Sequence, residues 1–249
     1  MTFDGSTQAF SNLTYVFPYA AYSLFAVYSN TAVATSYMNV MYGSNGYPML
    51  GVDLNKSVTA LPVAPTVTMW ATRIAGTTTS SDIGYGVATD SSGNVFVTGP
   101  YSAALTLYNS SGVSNASLAF TGGTDVFLAK YSSTGTVLWA AQITGTTTSE
   151  DLGQGLATDS SGNVFVTGYY GAALTLSNAT SGGGTGATLA FTGVTDVFLA
   201  KYSSTGSVLW AAQIAGTGSD IGYGVATDPS GNVVVTGYYS AALSLSNAV

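Results

Sequence analysis

Three aspartates occupy the same place in a phrase that the chain repeats. Asp90, Asp159 and Asp228 each open an Asp-x-Ser-Gly-Asn turn. A carboxylate at such a position can accept backbone N–H groups and clamp the turn. It can also give an oxygen to a hard cation such as Ca²⁺, which wants six to eight oxygens. One carboxylate per loop makes the clamp the simpler reading, and Asp90, Asp159 and Asp228 are the candidates should calcium bind. A second set, Asp82, Asp151 and Asp220, stands just before a Gly-x-Gly, and Glu150-Asp151 is an adjacent acidic pair. Paired carboxylates can cleave glycosides, but only at a defined spatial separation that adjacency does not supply. Asp125/Lys130 and Asp196/Lys201 recur within Asp-Val-Phe-Leu-Ala-Lys. Five apart on a strand, the two side chains face opposite sides, so each charge must pair with a neighbouring strand. Trp70, Trp139 and Trp210 could stack sugars. Their apolar neighbours and fixed place in the repeat favour packing between repeats.

The missing residues are as informative. There is no His and no Cys. Ser-His-Asp and Cys-His nucleophiles, His-ligated zinc and disulfides are therefore excluded. No residue set calls for a cofactor, and the expectation is a protein that is not an enzyme. Charged residues make up 6% of the chain, with 4 Lys+Arg against 11 Asp+Glu and a net charge of −7. A phosphate backbone needs clustered cations, so nucleic acid is not an expected partner. The N-terminus lacks a basic region followed by an apolar core, so no ordinary signal peptide is expected.

These residues are carried by a long repeat. Gly84–Gly99 reads GYGVATDSSGNVFVTG, and near-copies start 69 residues later at Gly153 and again at Gly222. An internal period of this kind decides architecture before anything else. Each unit reads as strand one (Tyr85 to Asp90), a tight turn and strand two (Val95 to Thr98). An insertion with two short strands follows (Ala104 to Leu107 and Leu118 to Thr121). Strand three is Val126 to Tyr131, and strand four is Thr136 to Ile143. The second unit, ending near Ala215, has a longer Gly-rich insertion. That stretch lacks the Gly-Lys-Ser/Thr of a phosphate loop. The third unit runs from Gly222 to Val249, and a lead strand at 67–76 matches strand four. The expected fold is all-β, with four-stranded blades of about 70 residues, each carrying a β-hairpin insertion, in an incomplete ring or fragment.

Residues 1–60 do not match the repeat. They read as a small, uncharged, β-rich attachment or assembly region, with 61–66 (LPVAPT) as a Pro-containing linker. Tyr15, Phe17, Tyr19, Tyr22, Phe25 and Tyr28 form its candidate assembly interface, since aromatic residues are enriched at interface cores. Pro18, the short apolar run and the lack of basic flanks argue against a membrane span. Alternation over Ala34 to Tyr42, then Gly43-Ser44-Asn45-Gly46 and Tyr47 to Leu54, predicts a hairpin. Five Asn-x-Ser/Thr sequons occur, at Asn12, Asn55, Asn109, Asn115 and Asn178.

The phrase G-[VL]-A-T-D-x-S-G-N-V-x-V-T-G, followed by D-V-F-L-A-K-Y-S-S-T-G-x-V-L-W, resembles the SBBP β-propeller repeat family over residues 67–249. The resemblance implies blades and brings no catalytic residues. Propellers close with about four to eight blades. Two complete units with a leading strand and a partial third imply a longer chain, chains that share blades, or an open stack. The expected role is a structural or adhesive surface module in a virion or at the cell surface, with protein partners or self-association. A glycan-binding propeller is the alternative, and a hydrolase the least favoured.

Overall fold

A computed structural model describes residues 69–76, 81–146, 148–179 and 184–248, and the backbone of three strands nearer the N-terminus, 23–28, 38–42 and 48–52. No helix occurs among the described residues, and none is therefore long and apolar enough to cross a membrane.

The first strands are β1 (Ser23–Tyr28), β2 (Met38–Tyr42), β3 (Pro48–Val52) and β4 (Met69–Ala75). β2 and β3 form the expected antiparallel hairpin, from Met38↔Val52 to Tyr42↔Pro48. Unit one contains β5 (Gly86–Thr89), β6 (Val95–Tyr101), β7 (Leu105–Tyr108), β8 (Ser114–Leu118), β9 (Asp125–Tyr131) and β10 (Val137–Thr144). Unit two repeats the plan as β11 (Leu152–Thr158), β12 (Val164–Tyr170), β13 (Leu174–Ser177), β14 (Thr185–Leu189), β15 (Asp196–Tyr202) and β16 (Val208–Ala215). β17 (Asp220–Thr227), β18 (Val233–Tyr239) and β19 (Ser244–Ala248) belong to unit three.

The four strands of each blade pair as expected, β5-β6-β9-β10 and β11-β12-β15-β16. The insertion hairpins do not join their own blade. β13-β14 adds to the outer edge of β10, in the blade before it, through Ile143↔Leu176 and Thr144↔Thr175. β7-β8 adds to β4 in the same way, through Ile74↔Leu107 and Ala75↔Thr106, and β19 adds to β16. The sheets thus exchange hairpins, and each outer β-edge is covered by the following unit, which removes an edge open to stray pairing. Each hairpin is also pinned at its tip to its own unit. Ser110 N–H donates to Gly135 O at 2.8 Å, and Val137 N–H donates to Asn109 Oδ1 at 2.8 Å. The same bonds recur at Ala179/Gly206 and Val208/Asn178. Asn115 Nδ2 also donates to Val137 O at 2.9 Å, so three of the sequon asparagines hold the scaffold.

Several strand limits move from their sequence-based positions. The second insertion strand is Ser114–Leu118 rather than Leu118 to Thr121. The reason is a tight turn at Asn109–Gly112, closed by Gly112 N–H to Asn109 O, which starts the return earlier. β1 also departs from the reading that grouped residues 1–60 in one region. It lies beside β4 in the order β1-β4-β7-β8, the seat that β9 holds beside β10. Its apolar run, SLFAVY, suits a strand next to the Trp strand.

Both faces of the middle strands are covered. Val95–Tyr101 and Asp125–Tyr131 are buried throughout. This explains why Asp-Val-Phe-Leu-Ala-Lys-Tyr is nearly continuous in apolar residues rather than alternating. Side chains of alternate residues enter different clusters. Phe96 and Leu128 pack with Val166, Phe198 and Tyr202 of unit two, while Val97 and Phe127 pack with Trp70, Ile74 and Leu107. Each core is therefore shared between consecutive blades. At the ends of the first strands of the units, Thr158 Oγ1 donates to Thr89 O and Thr227 Oγ1 to Thr158 O, both at 2.8 Å. One close approach requires glycine in every unit. A Cβ on Gly99, Gly168 or Gly237 would overlap the carbonyl oxygen of Ile83, Leu152 or Ile221 across the bulged strand pair.

Candidate functional site

The two ends of the blades carry different chemistry. At the turn end, Asp90 Oδ1 accepts the N–H of Ser92 (3.0 Å) and Asn94 (2.9 Å), and Oδ2 accepts Asn94 Nδ2. Lys130 Nζ lies 3.1 Å from the same Oδ2 and 4.8 Å from the Phe96 ring centre. Asp159 repeats this with Asn163 and Lys201, at 2.9 Å to the ammonium. Burial alone would raise both carboxyls, but the Asn side chains, backbone N–H groups and lysines together hold them below the usual value. Asp228 clamps its turn through Asn232 in the same manner, and its carboxyl is likewise lowered. The calcium candidates are thus three separate turn clamps. Among the described residues no three acidic or His/Cys side chains come together.

The tryptophans link the blades at this end. Trp70 Nε1 donates to Ser133 O at 2.9 Å and Trp139 Nε1 to Ser204 O at 3.1 Å, each in the following blade. Trp139 stacks on Tyr202, with centroids 6.4 Å apart, and meets Phe96 edge-on at 5.9 Å. The receiving turns need Gly135 (φ 82°) and Gly206 (φ 89°), in the left-handed region next to the indole rings. Trp210 is less covered and packs on Phe165 at 6.0 Å.

At the opposite end, the second set of aspartates is buried. Asp82, Asp151 and Asp220 accept the N–H of Gly76 (2.6 Å), Gly145 (2.5 Å) and Gly216 (2.6 Å). Asp151 also accepts Gly171 N–H, and Asp220 accepts Ser240 N–H. Each carboxylate ties the end of one blade to the start of the next. Asp125 and Asp196 instead hold Thr121 and Thr192, where the insertion returns to the blade, and meet Gln142 and Gln213. Burial pushes the Asp151 carboxyl up to about 6, against the lowering effect of Gly171, Gly145 and Ser149.

That shift has a defined sign. A folded-state value above the unfolded one favours the protonated folded protein. Its stabilisation is fully present below the unfolded value, near 3.8, and is lost as pH rises through about 6. Asp90 and Asp159 act oppositely, losing stabilisation as pH falls through their depressed values. The melting temperature is expected to rise when pH drops from 7 to 5. Asp151→Asn should flatten that rise in a calorimetric pH series. An unchanged slope would remove Asp151 as its source.

A shallow cleft of about 200 Å³ opens at this same end. Its walls are Ser81, Ile83, Tyr85, Pro100 and Ser102 of unit one, Thr124, and Glu150, Leu152 and Tyr169 at the start of unit two. Thr124 and Glu150 form a parallel bridge, with Asp151 N–H donating to Thr124 O at 3.0 Å, so the backbone under Glu150 is fixed. Tyr85 is 47% exposed, and Ile83 is also exposed. Burial, and then the nearby Glu150 carboxylate, raise the Tyr169 phenol.

Residues 70–99, 138–169 and 209–238 match the SBBP family, a β-propeller repeat. The chain carries SBBP β-propeller repeats. A stretch of 137 residues is also 31% identical to an uncharacterized WD repeat-containing protein, L264, of Acanthamoeba polyphaga mimivirus. That match covers 49% of this chain and 10% of the relative, so the chain spans only a small part of that protein's length.

Within the SBBP repeats, the sequence-derived candidates separate by role. Asp82, Asp151 and Asp220, with Trp70 and Trp139, are brought to the blade junctions, while Asp90, Asp159 and Asp228 clamp turns within their own units. Of the candidate interface, Tyr15, Phe17, Tyr19 and Tyr22 lie outside the described residues, and Phe25 and Tyr28 fall in β1, described by its backbone. The linker at 61–66 also lies outside them. Glu150 was visible in the sequence only as half of an acidic pair. The structure separates the two: Asp151 is buried and engaged, while Glu150 is exposed on the cleft. The available signal was its place in the repeat, where the other units have Ser81 and Ser219.

Proposed function

We propose that the SBBP repeats form a rigid, non-enzymatic exterior module, structural or adhesive, which the Tyr-rich N-terminal region attaches to a larger assembly such as a virion or cell-surface layer. One observation carries this reading. Asp82, Asp90, Asp125, Asp151, Asp159, Asp196, Asp220 and Asp228 each accept a backbone N–H within the fold. Lys130 and Lys201 are both consumed in ion pairs. Each of these groups is thus engaged in a turn, a strand end or a blade junction of the fold. The remaining surface is rich in Ser, Thr, Asn and Tyr, which suits contact without strong charge. Protein partners in the assembly, or further copies of the chain, are the expected contacts.

The test is location on intact material. Antibody to the 105–118 hairpin should label unbroken particles or cells. Labelling that appears only after lysis would contradict an exterior role. A second reading, a carbohydrate-binding propeller, draws on the exposed Tyr85, Tyr223, Tyr238 and Tyr239. A glycan array without hits would argue against it.

A further inference from the structure

We propose that the cleft between units one and two is a binding site for an alkylammonium group, either a lysine side chain of a partner or a small quaternary amine. The proposal goes beyond the scaffold reading and does not depend on where the protein is located.

Four observations carry it. First, Glu150 differs from every described aspartate. Each of those accepts a backbone N–H, whereas no side-chain hydrogen bond or ion pair to Glu150 occurs among the described residues. It is an exposed carboxylate on a backbone held at the cleft wall, with its charge not neutralised by the described lysines. Second, the wall around it is suited to an organic cation. Ile83, Pro100 and Leu152 offer aliphatic surface, and Tyr85 and Tyr169 offer aromatic rings. Aromatic faces attract cations through their quadrupole, and a carboxylate adds direct charge. Third, the repeat breaks its own symmetry here. Along the 69-residue period, Tyr85 becomes Gln154, Pro100 becomes Tyr169, and Ser81 becomes Glu150 and then Ser219. Strands three and four are almost invariant between units, so the variation lies in this rim and in the insertions. Fourth, the charge disfavours an anion, which would meet Glu150 in a protein of net charge −7.

The fold supplies the rigidity that such a site needs. Glu150 follows Ser149, whose carbonyl accepts Thr124 N–H at 2.9 Å, and precedes the buried Asp151. Its backbone is therefore held from both sides and belongs to the junction between blades. Ligand contact there touches both units at once.

The experiment is a titration of the isotope-labelled full chain, followed by NMR, with four probes: tetramethylammonium chloride, an acetylated lysine amide, methyl glucoside and sodium sulfate. The ammonium probes should shift the resonances of Tyr85, Glu150 and Tyr169, and the other two should not. Tighter binding of the lysine amide points to a protein partner, and tighter binding of tetramethylammonium points to a free quaternary amine; both support the site. Glu150→Gln should weaken binding about ten-fold, with an unchanged melting temperature. Tyr85→Gln, which installs the unit-two residue, should weaken it as well. Absent ammonium shifts at the cleft, equal binding by both variants, or methyl glucoside shifting the same residues would overturn the proposal.

Discussion

Trp139→Ala is expected to lower the unfolding free energy by about 3–5 kcal/mol, the range for truncating a buried aromatic side chain. Trp139 sits in a core that both units build, stacked on Tyr202 and set edge-on to Phe96. Its truncation opens a cavity between blades and removes the indole donor to Ser204 O. The Gly206 turn, shaped to receive the ring, would lose its packing partner. Trp210→Ala is the internal control. It removes the same residue from the same repeat position, where the side chain is less covered, and should cost clearly less. Denaturant midpoints of the two variants decide the matter. Domains are stable by only about 5–15 kcal/mol, so the Trp139 loss is a large share. Equal losses would mean that the ring contributes only within its own blade.

Lys130→Met is expected to have the next largest effect, about 3–5 kcal/mol. The Lys130–Asp90 pair has side-chain exposures of 6% and 5%, so removing the ammonium strands a buried carboxylate. Met keeps the apolar stem that lies along Phe96, which isolates the charge from the packing. Asp90 retains its donors from Ser92 and Asn94, but the bond from Lys130 to Ser204 O in the next blade is lost. Lys201→Met tests the same chemistry with more solvent present, at 22% and 15% exposure. Water screens that pair, and the cost should fall to about 1 kcal/mol. Adding Asp90→Asn to Lys130→Met should recover part of the loss. No recovery would show that the lysine acts through its stem rather than its charge.

Much of the blade could be read from residues. Asp-x-Ser-Gly-Asn announced its turn because the carboxylate and the Asn side chain meet locally, four residues apart. Val-Phe-Leu-Ala-Lys-Tyr announced a covered strand because both of its faces are apolar. The destination of the insertion hairpin could not be read. Its link to the previous blade rests on two residue pairs, Ile143↔Leu176 and Thr144↔Thr175, and on bonds at the tip. A short strand of Leu, Thr and Ser carries no mark of which edge it will join. β1 did leave a trace. Tyr28-Ser29-Asn30-Thr31 echoes Tyr131-Ser132-Ser133-Thr134 and Tyr202-Ser203-Ser204-Thr205, which close the third strand of each unit. The echo is short and sits in an uncharged Tyr-rich context, so composition set it apart from the repeats. Trp139 lies in the core shared by the two units, among apolar residues of its own strand that are visible in the sequence. The cleft went unseen because its residues come from five separate segments, and only their differences between units mark it.

Each insertion hairpin is handed to the blade before its own unit. The chain has no cysteine, so one introduced pair reports without interference. Thr144 and Thr175 face each other across β10 and β13. Facing residues of an antiparallel pair lie about 4.5–5.5 Å apart at Cα, within disulfide range. Oxidation of the Thr144→Cys, Thr175→Cys variant in its native state should give a complete intrachain disulfide and a raised melting temperature. Thiols that stay free in the folded protein, while the single variants fold normally, would contradict the exchange of hairpins between blades.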